Sequence, residues 1–197
     1  VILNDNQIRA RCEWTDHPPM ISPFQPEQFR RTQSGAPAIS SGLSSYGYDI
    51  RLADTGLQVF EKIDKVVIDP KYFDLDVLEV LETDEMGAGT FYTLPPRAYA
   101  LGVSVETFHI PHNILGICYC KSTYARCGLM VNTTPLEPGW RGQLVVELAN
   151  LTDLPMKVYA NEGIAQVVFF EGEVPATTYA DRSGKYQDQK GIVTARI

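Results

Sequence analysis

The chain has 197 residues, 44% of them apolar, which is enough for one domain with its own core. Its 17 Lys and Arg against 24 Asp and Glu give a formal net charge of −7, and no basic run occurs, which argues against a surface built for nonspecific nucleic-acid binding. No apolar run reaches the length of a membrane span and no leader-like pattern opens the chain at Val1, so a cytoplasmic protein without membrane attachment is expected.

In chain order, residues 3–13 read as a short helix capped by Asn4 or Asp5, with Ile8 and Cys12 on one face. Pro18, Pro19, Pro23 and Pro26 prevent a long helix beyond it. Met20 to Phe24 is expected as an extended connection, followed by a turn at Pro26–Phe29. Residues 31–45 are rich in Ser, Gly and Ala and read as a loop. Strands are expected at Tyr46–Leu52, Leu57–Phe60 and Val66–Ile68, and a turn at Gly87–Gly89. Asp74 to Glu85 fits helix or strand by its apolar spacing. Further strands are expected at Phe91–Leu94, Tyr99–Val105, Ile114–Cys120, Leu144–Leu148, Met156–Tyr159 and Ala165–Phe170. Short strands broken by Pro and Gly argue for a β-barrel or sandwich, and the lack of βαβ alternation argues against a Rossmann-type site. The four cysteines, Cys12, Cys118, Cys120 and Cys127, lack framework spacing and read as buried free thiols.

Two stretches carry candidate chemistry. Lys121 to Gly128, KSTYARCG, reads as one or two helical turns with Ser122 as N-cap and Gly128 as the stop. Lys121 and Arg126 beside a helix N-terminus suit an anion, although a solvated surface turn would look the same. Locally focused cations at Lys121, Arg126 and Lys185 would let a small polyanion bind despite the negative total. In Leu144–Ala149, alternation puts Leu144, Val146 and Leu148 on one face and Val145, Glu147 and Ala149 on the other. Glu147 then lies either on a solvated sheet face or in a cavity, where desolvation would raise its pKa and suit it to proton exchange. The polar tail, Tyr179 to Ile197, reads as a frayed end or as a lid bearing cations and amides.

KSTYARCG at 121–128, VNTTPLEPGWRG at 131–142 and VVELAN at 145–150 resemble dCTP deaminase of the dUTPase superfamily. So do SSYGYDIRLAD at 44–54, YANEGIAQVVFF at 159–170 and GKYQDQKG at 184–191, in the same order along nearly the whole chain. The resemblance implies a mainly β fold, a distorted dUTPase-like barrel (β-clip) with a few short helices, as a single domain over 1–197 with a lid-like tail at 179–197. It also implies strand at 74–85, a homotrimer with sites at subunit interfaces, and hydrolytic deamination of dCTP to dUTP and ammonia.

By the same resemblance, Glu147 is the proton shuttle, Ser122 orients water or the tetrahedral centre, and Arg126 holds a phosphate or assists at the reacting carbon. The run Lys121, Ser122, Thr123, Tyr124, Ala125 and Arg126 contacts the nucleotide. Backbone groups of Val145 and Val146 read the base, and Gln166, Tyr179, Lys185 and Gln189 meet sugar or phosphates. The H-x-E…P-C-x-x-C signature of zinc deaminases is absent, and His109 and His112 offer no third ligand nearby, so no catalytic metal is expected. Magnesium would enter only on the triphosphate. Glu137 retains a carboxylate near the position of the dUTPase catalytic acid, so a bifunctional deaminase–diphosphatase stays open. A pure dUTPase is disfavoured by the tail, and a non-catalytic nucleotide-binding β-trimer by the presence of Glu147.

Overall fold

The computed structural model describes residues 1–14, 16–32, 35–60, 67–86 and 89–197. Helix α1, Asp5–Glu13, is closed by a reciprocal capping box: the Asn4 side chain accepts from the Gln7 N–H, and the Gln7 side chain accepts from the Asn4 N–H. Its Ile8 is fully buried. Two main antiparallel sheets follow. One runs β11 (Leu129–Asn132), β12 (Arg141–Asn150), β9 (Tyr99–His109), β5 (Leu57–Phe60) and β6 (Leu78–Leu81), with the short β1 (Ile21–Ser22) also on β9. The other runs β10 (Ile114–Cys120), β14 (Gly163–Glu171), β4 (Gly47–Arg51), β3 (Pro37–Ser44) and β2 (Phe29–Arg31). A small third sheet joins β13 (Met156–Tyr159), β8 (Gly89–Leu94) and β7 (Asp84–Met86).

The architecture is the expected mainly β, distorted barrel, with its sheets left open among the described residues. The inward residues of the sheets, including Tyr48, Ile50, Phe108, Val146, Leu148, Val167 and Phe169, form one continuous core. Most expected strands are present, and β9 and β12 run longer than alternation alone suggested. Residues 74–85 form a 3₁₀ turn, Leu75–Val77, then all of β6 and the start of β7, so strand outweighs helix. Strand β11 had not been anticipated. Val66 and most of the Gly87–Gly89 turn lie outside the described residues, while Val67 and Ile68 are exposed and belong to no strand.

The loop expected at 31–45 is mostly strand β3. Its small side chains reflect what lies on top of it. The Leu43 N–H donates to the Gln25 carbonyl, and Ser41 Oγ donates to Gln25 Oε1 at 2.8 Å. Gly42 has φ of +98°, and a Cβ there would sit 2.1 Å from the Glu27 carbonyl oxygen. Backbone packed on backbone excludes the branched side chains that normally announce a strand.

Candidate active site

The site begins with an irregularity in the long β9–β12 ladder. Gln143 faces Thr107, but Val145 faces Val103, so β9 bulges at 104–106. Ser104 fills the gap: its Oγ accepts from the Leu144 N–H at 2.9 Å and donates to the Glu106 carbonyl at 2.6 Å. The bulge turns the Glu106 side chain inward. That carboxylate, 0% exposed, accepts from Arg51 Nε at 2.7 Å and from the Arg51 N–H at 2.9 Å. Burial raises its pKa and Arg51 opposes the rise.

Beyond the bulge, β12 resumes the expected alternation. Val146 and Leu148 enter the core, and Val145 and Glu147 face outward, half-buried. Glu147 sits between Leu101 of β9 and Asn132 of β11. Asn132 Nδ2 donates to Glu147 Oε2, and among the described residues no cation pairs with this carboxylate. Burial raises its pKa, and the Asn132 hydrogen bond opposes that rise. A cavity of about 470 Å³ opens over Glu147. One wall is apolar: Leu101 and the ring cluster Phe60–Tyr99 and Phe60–Phe73, with centroids 5.3 and 6.0 Å apart. Thr134 and Glu137 from the loop after β11 form another.

The tail closes the third side and is not frayed. Gln143 and Gln189 exchange hydrogen bonds: the Gln143 N–H donates to the Gln189 carbonyl at 3.0 Å, and Gln189 Nε2 donates to the Gln143 carbonyl at 2.7 Å. The Gly191 N–H donates to Gln143 Oε1, Trp140 Nε1 donates to the Tyr186 carbonyl, and Arg141 pairs with Asp188. Tyr179, Lys185, Tyr186 and Gln189 thereby line the cavity together with Val193, Thr194 and Ala195. Arg182 pairs with Glu137, and Lys185 Nζ donates to the Arg196 carbonyl.

The cationic turn lies elsewhere on the chain. Helix α2, Ser122–Ala125, is a single turn whose N-cap is Lys121, without a side-chain cap bond; Ser122 is its first helical residue and not the cap. A helix this short carries little dipole, so the anion site expected at its N-terminus lacks that support. Ser122, Thr123, Ala125 and Arg126 are exposed, and Tyr124 is buried with its hydroxyl accepting from the Tyr159 N–H at 2.8 Å. Gly128, φ +88°, ends the turn as expected. Chain then enters β11 opposite Asn150 and reaches Glu147 only at the far end of that strand. The chain therefore gathers Val145, Glu147, Tyr179, Lys185 and Gln189 around one cavity, and it holds Lys121–Arg126 and Gln166 apart from it. Lys121 and Gln166 are engaged internally, with Asp49 and Ser44 respectively.

Asn132, Thr134, Tyr99, Phe60 and Phe73 had been assigned no role. Asn132 and Glu147 meet through strand pairing that sequence spacing does not reveal. Of the thiols, Cys12, Cys118 and Cys120 are partly buried and Cys127 is exposed, which corrects the expectation of four buried ones. Burial pushes Cys12 and Cys118 up to about 12, so both stay protonated. Among the described residues, no three His, Cys, Asp or Glu side chains converge as a metal site would require. Among the described residues, no helix is long and apolar enough to cross a membrane.

Comparison with known proteins gives a consistent picture. The model of a family described as dCTP deaminase-like matches residues 2–172. A dCTP deaminase of Alcanivorax borkumensis is 50% identical over 182 residues, covering 90% of each chain. One of Paraburkholderia xenovorans is 46% identical over 196 residues, covering 99% of this chain and 98% of its own. In fold, the chain is similar to the crystal structure of 2'-deoxycytidine 5'-triphosphate deaminase from Agrobacterium tumefaciens, with a TM-score of 0.59 and 15% identity. That likeness covers 87% of this chain and 48% of the other. On the family match and the near-full-length relatives together, this chain belongs to the dCTP deaminase-like family.

Proposed function

We propose that the protein catalyses hydrolytic deamination of dCTP to dUTP and ammonia. The observation that carries this reading is Glu147: a half-buried carboxylate at a cavity wall, without a cationic partner and held by one amide. A carboxylate whose pKa is raised by burial is suited to accept a proton and return it near neutral pH. Glu147 takes a proton from water as the water oxygen bonds to C4 of cytosine, and passes that proton to N3. It then takes the proton of the new C4 hydroxyl and delivers it to the amino group; the C4–N bond breaks, ammonia leaves, and C4 keeps the oxygen as a carbonyl. Ser122 and Arg126 orient the water and stabilise the tetrahedral centre. The backbone of Val145 and Val146 reads the base, and Tyr179, Lys185 and Gln189 hold the sugar and phosphates from the tail.

Because Ser122 and Arg126 stand apart from Glu147 within one subunit, the reading requires a neighbouring copy to bring them together. A homotrimer with sites between subunits meets that need. Leu115, Ile117, Val168 and Phe170, half-buried, and Tyr119, 57% exposed, lie on the outward face of β10 and β14 and offer an apolar surface for contact. Sedimentation equilibrium that finds a fully active monomer would contradict this.

Magnesium arrives with the triphosphate, and catalysis proceeds without zinc, since the zinc-deaminase signature is missing from the chain. A cytoplasmic setting, where the thiols stay reduced, agrees with this chemistry. Glu137 sits at the cavity, and its pairing with Arg182 gives no reason to prefer a second, diphosphatase activity. The deciding experiment is incubation with dCTP and magnesium, resolving dUTP, dUMP, ammonia and pyrophosphate. Stoichiometric dUTP and ammonia are expected. Formation of dUMP and pyrophosphate would make the enzyme bifunctional, and deamination lost to a zinc chelator and restored by zinc would overturn the metal-free mechanism.

A further inference from the structure

Gln143, half-buried, stands where the tail, the edge of β12 and the bulge in β9 meet. Its N–H donates to the Gln189 carbonyl at 3.0 Å, its carbonyl accepts from Gln189 Nε2 at 2.7 Å, and its Oε1 accepts from the Gly191 N–H at 2.9 Å. Its Nε2 turns the other way and donates to the Ser104 carbonyl at 3.0 Å. Ser104 is fully buried, and its hydroxyl is fixed by the Leu144 N–H and the Glu106 carbonyl. One side-chain amide therefore spans from a buried point of the sheet to the backbone of the tail. The tail itself lies parallel to β12 through a bridge between Gly142 and Gln189. Gly142 permits the approach: its φ is +149°, and a Cβ there would sit 3.0 Å from the Gln189 carbonyl oxygen.

We infer that Gln143 is a positioning residue for the nucleotide: its side chain latches the tail to the β9 bulge and so sets where Tyr179, Lys185 and Gln189 meet the sugar and phosphates. Two physical arguments place the latch here and not at the other tail contacts. The Arg141–Asp188 and Arg182–Glu137 ion pairs are exposed, and such pairs contribute little in water. The Trp140 indole and the Gln187 amide tie the tail earlier, through the Tyr186 and Gly139 carbonyls. Among the described residues, the Gln143 bond to Gly191 is the barrel hydrogen bond farthest along the tail, just before Val193 to Ala195 line the cavity. Ordering a polar tail also costs conformational entropy, and a ligand that has to order it binds more weakly. The bonds that Gln143 supplies offset part of that cost. This inference rests on the reading of the protein as a dCTP deaminase whose tail holds the sugar and phosphates.

The test compares full-length Gln143→Met with the parent in steady-state kinetics on dCTP and in amide hydrogen exchange of the ligand-free protein. With the latch, KM for dCTP rises about tenfold, the scale of one or two hydrogen bonds, while kcat per folded molecule stays within about threefold because Glu147, Ser122 and Arg126 are untouched. The Asp188 N–H, which donates to the Arg141 carbonyl and not to Gln143, exchanges about tenfold faster as the tail opens more often. Asp188→Asn removes the exposed pair with Arg141 and leaves Gln143 in place, so it raises KM by less than about twofold. A rise as large as that of Gln143→Met would overturn the latch. So would a loss of kcat with KM intact, a higher KM without faster tail exchange, or faster exchange with KM unmoved. If Gln143→Met fails to fold, Gln143→Asn keeps a solvated amide that is one methylene too short to span from Ser104 to Gly191. The same pattern is expected of it, and parent-like KM and exchange would overturn the latch. A parent inert on dCTP refutes the deaminase reading itself, and hydrogen exchange then still reads the latch without a substrate.

Discussion

Glu106 and Glu147 are carboxylates on adjacent strands of one sheet, and burial raises the pKa of both. They differ in company. Glu106 points inward at the bulge and is met twice by Arg51, through Nε and the backbone N–H. Glu147 faces the cavity and, among the described residues, is met by Asn132 alone. At Glu106 the guanidinium opposes protonation, which suits a role in the fold. At Glu147 only a neutral amide does so, which suits the proton exchange proposed for it. Burial of a charge is thus no indicator of function by itself; the partner decides.

The widest separation between the two should come from Glu147→Gln. It removes base and acid together, so turnover should fall at least about a thousandfold, within the range of general acid–base catalysis. Binding of dCTP should fall far less. Single-turnover deamination beside calorimetry measures both, and turnover within tenfold of the parent, about 1.4 kcal/mol, would place Glu147 in the same structural class as Glu106. The converse experiment is Arg51→Met. It leaves Glu106 buried without its cation and should destabilise the fold by roughly 3–5 kcal/mol. Urea unfolding reads that loss, and kcat per folded molecule should hold; an unchanged midpoint would mean that Glu106 finds other partners.

A smaller effect is expected from Asn132→Ala. Loss of the donor removes the one contact that lowers the Glu147 pKa, so the acid limb of the kcat–pH profile should move to higher pH. Turnover at neutral pH should drop by about tenfold to a hundredfold, the scale of one hydrogen bond to a charged group. A limb that stays in place would separate Glu147 from the profile. The smallest effect concerns stability. The folded state keeps Glu147 protonated to a higher pH than the unfolded chain does, so the parent loses stability as pH rises from the ordinary glutamate range through the raised value. Glu147→Gln lacks that slope. Its advantage over the parent should be absent at low pH and present at neutral pH; equal urea midpoints at both would remove the assignment.

Glu147 was legible because its context is local: alternation within six residues already left it either solvated or in a cavity. Its partner was not, since Asn132 reaches it only through the β11–β12 register. Strand β3 was hidden because the segment over it forces small residues, and small residues without branching read as loop. The inward turn of Lys121 depends on Asp49, far back in the chain, and no window of sequence holds both. The tail showed its polar groups in sequence but not their seat, which is the Trp140–Gln143 segment. The pairing of Trp140 with that tail has a practical side.

The chain has two tryptophans, and they report on different worlds. Trp14 is 72% exposed and Trp140 is 6% exposed, its indole N–H tied to the Tyr186 carbonyl at 2.9 Å. Emission from Trp14 is that of an indole in water whatever the tail does. Emission from Trp140 is that of a shielded indole for as long as the last twenty residues stay seated. With Trp14 replaced by Phe, the protein carries a single tryptophan, at the contact between barrel and tail. Its wavelength and quenching by acrylamide then report whether the tail is seated, without a label.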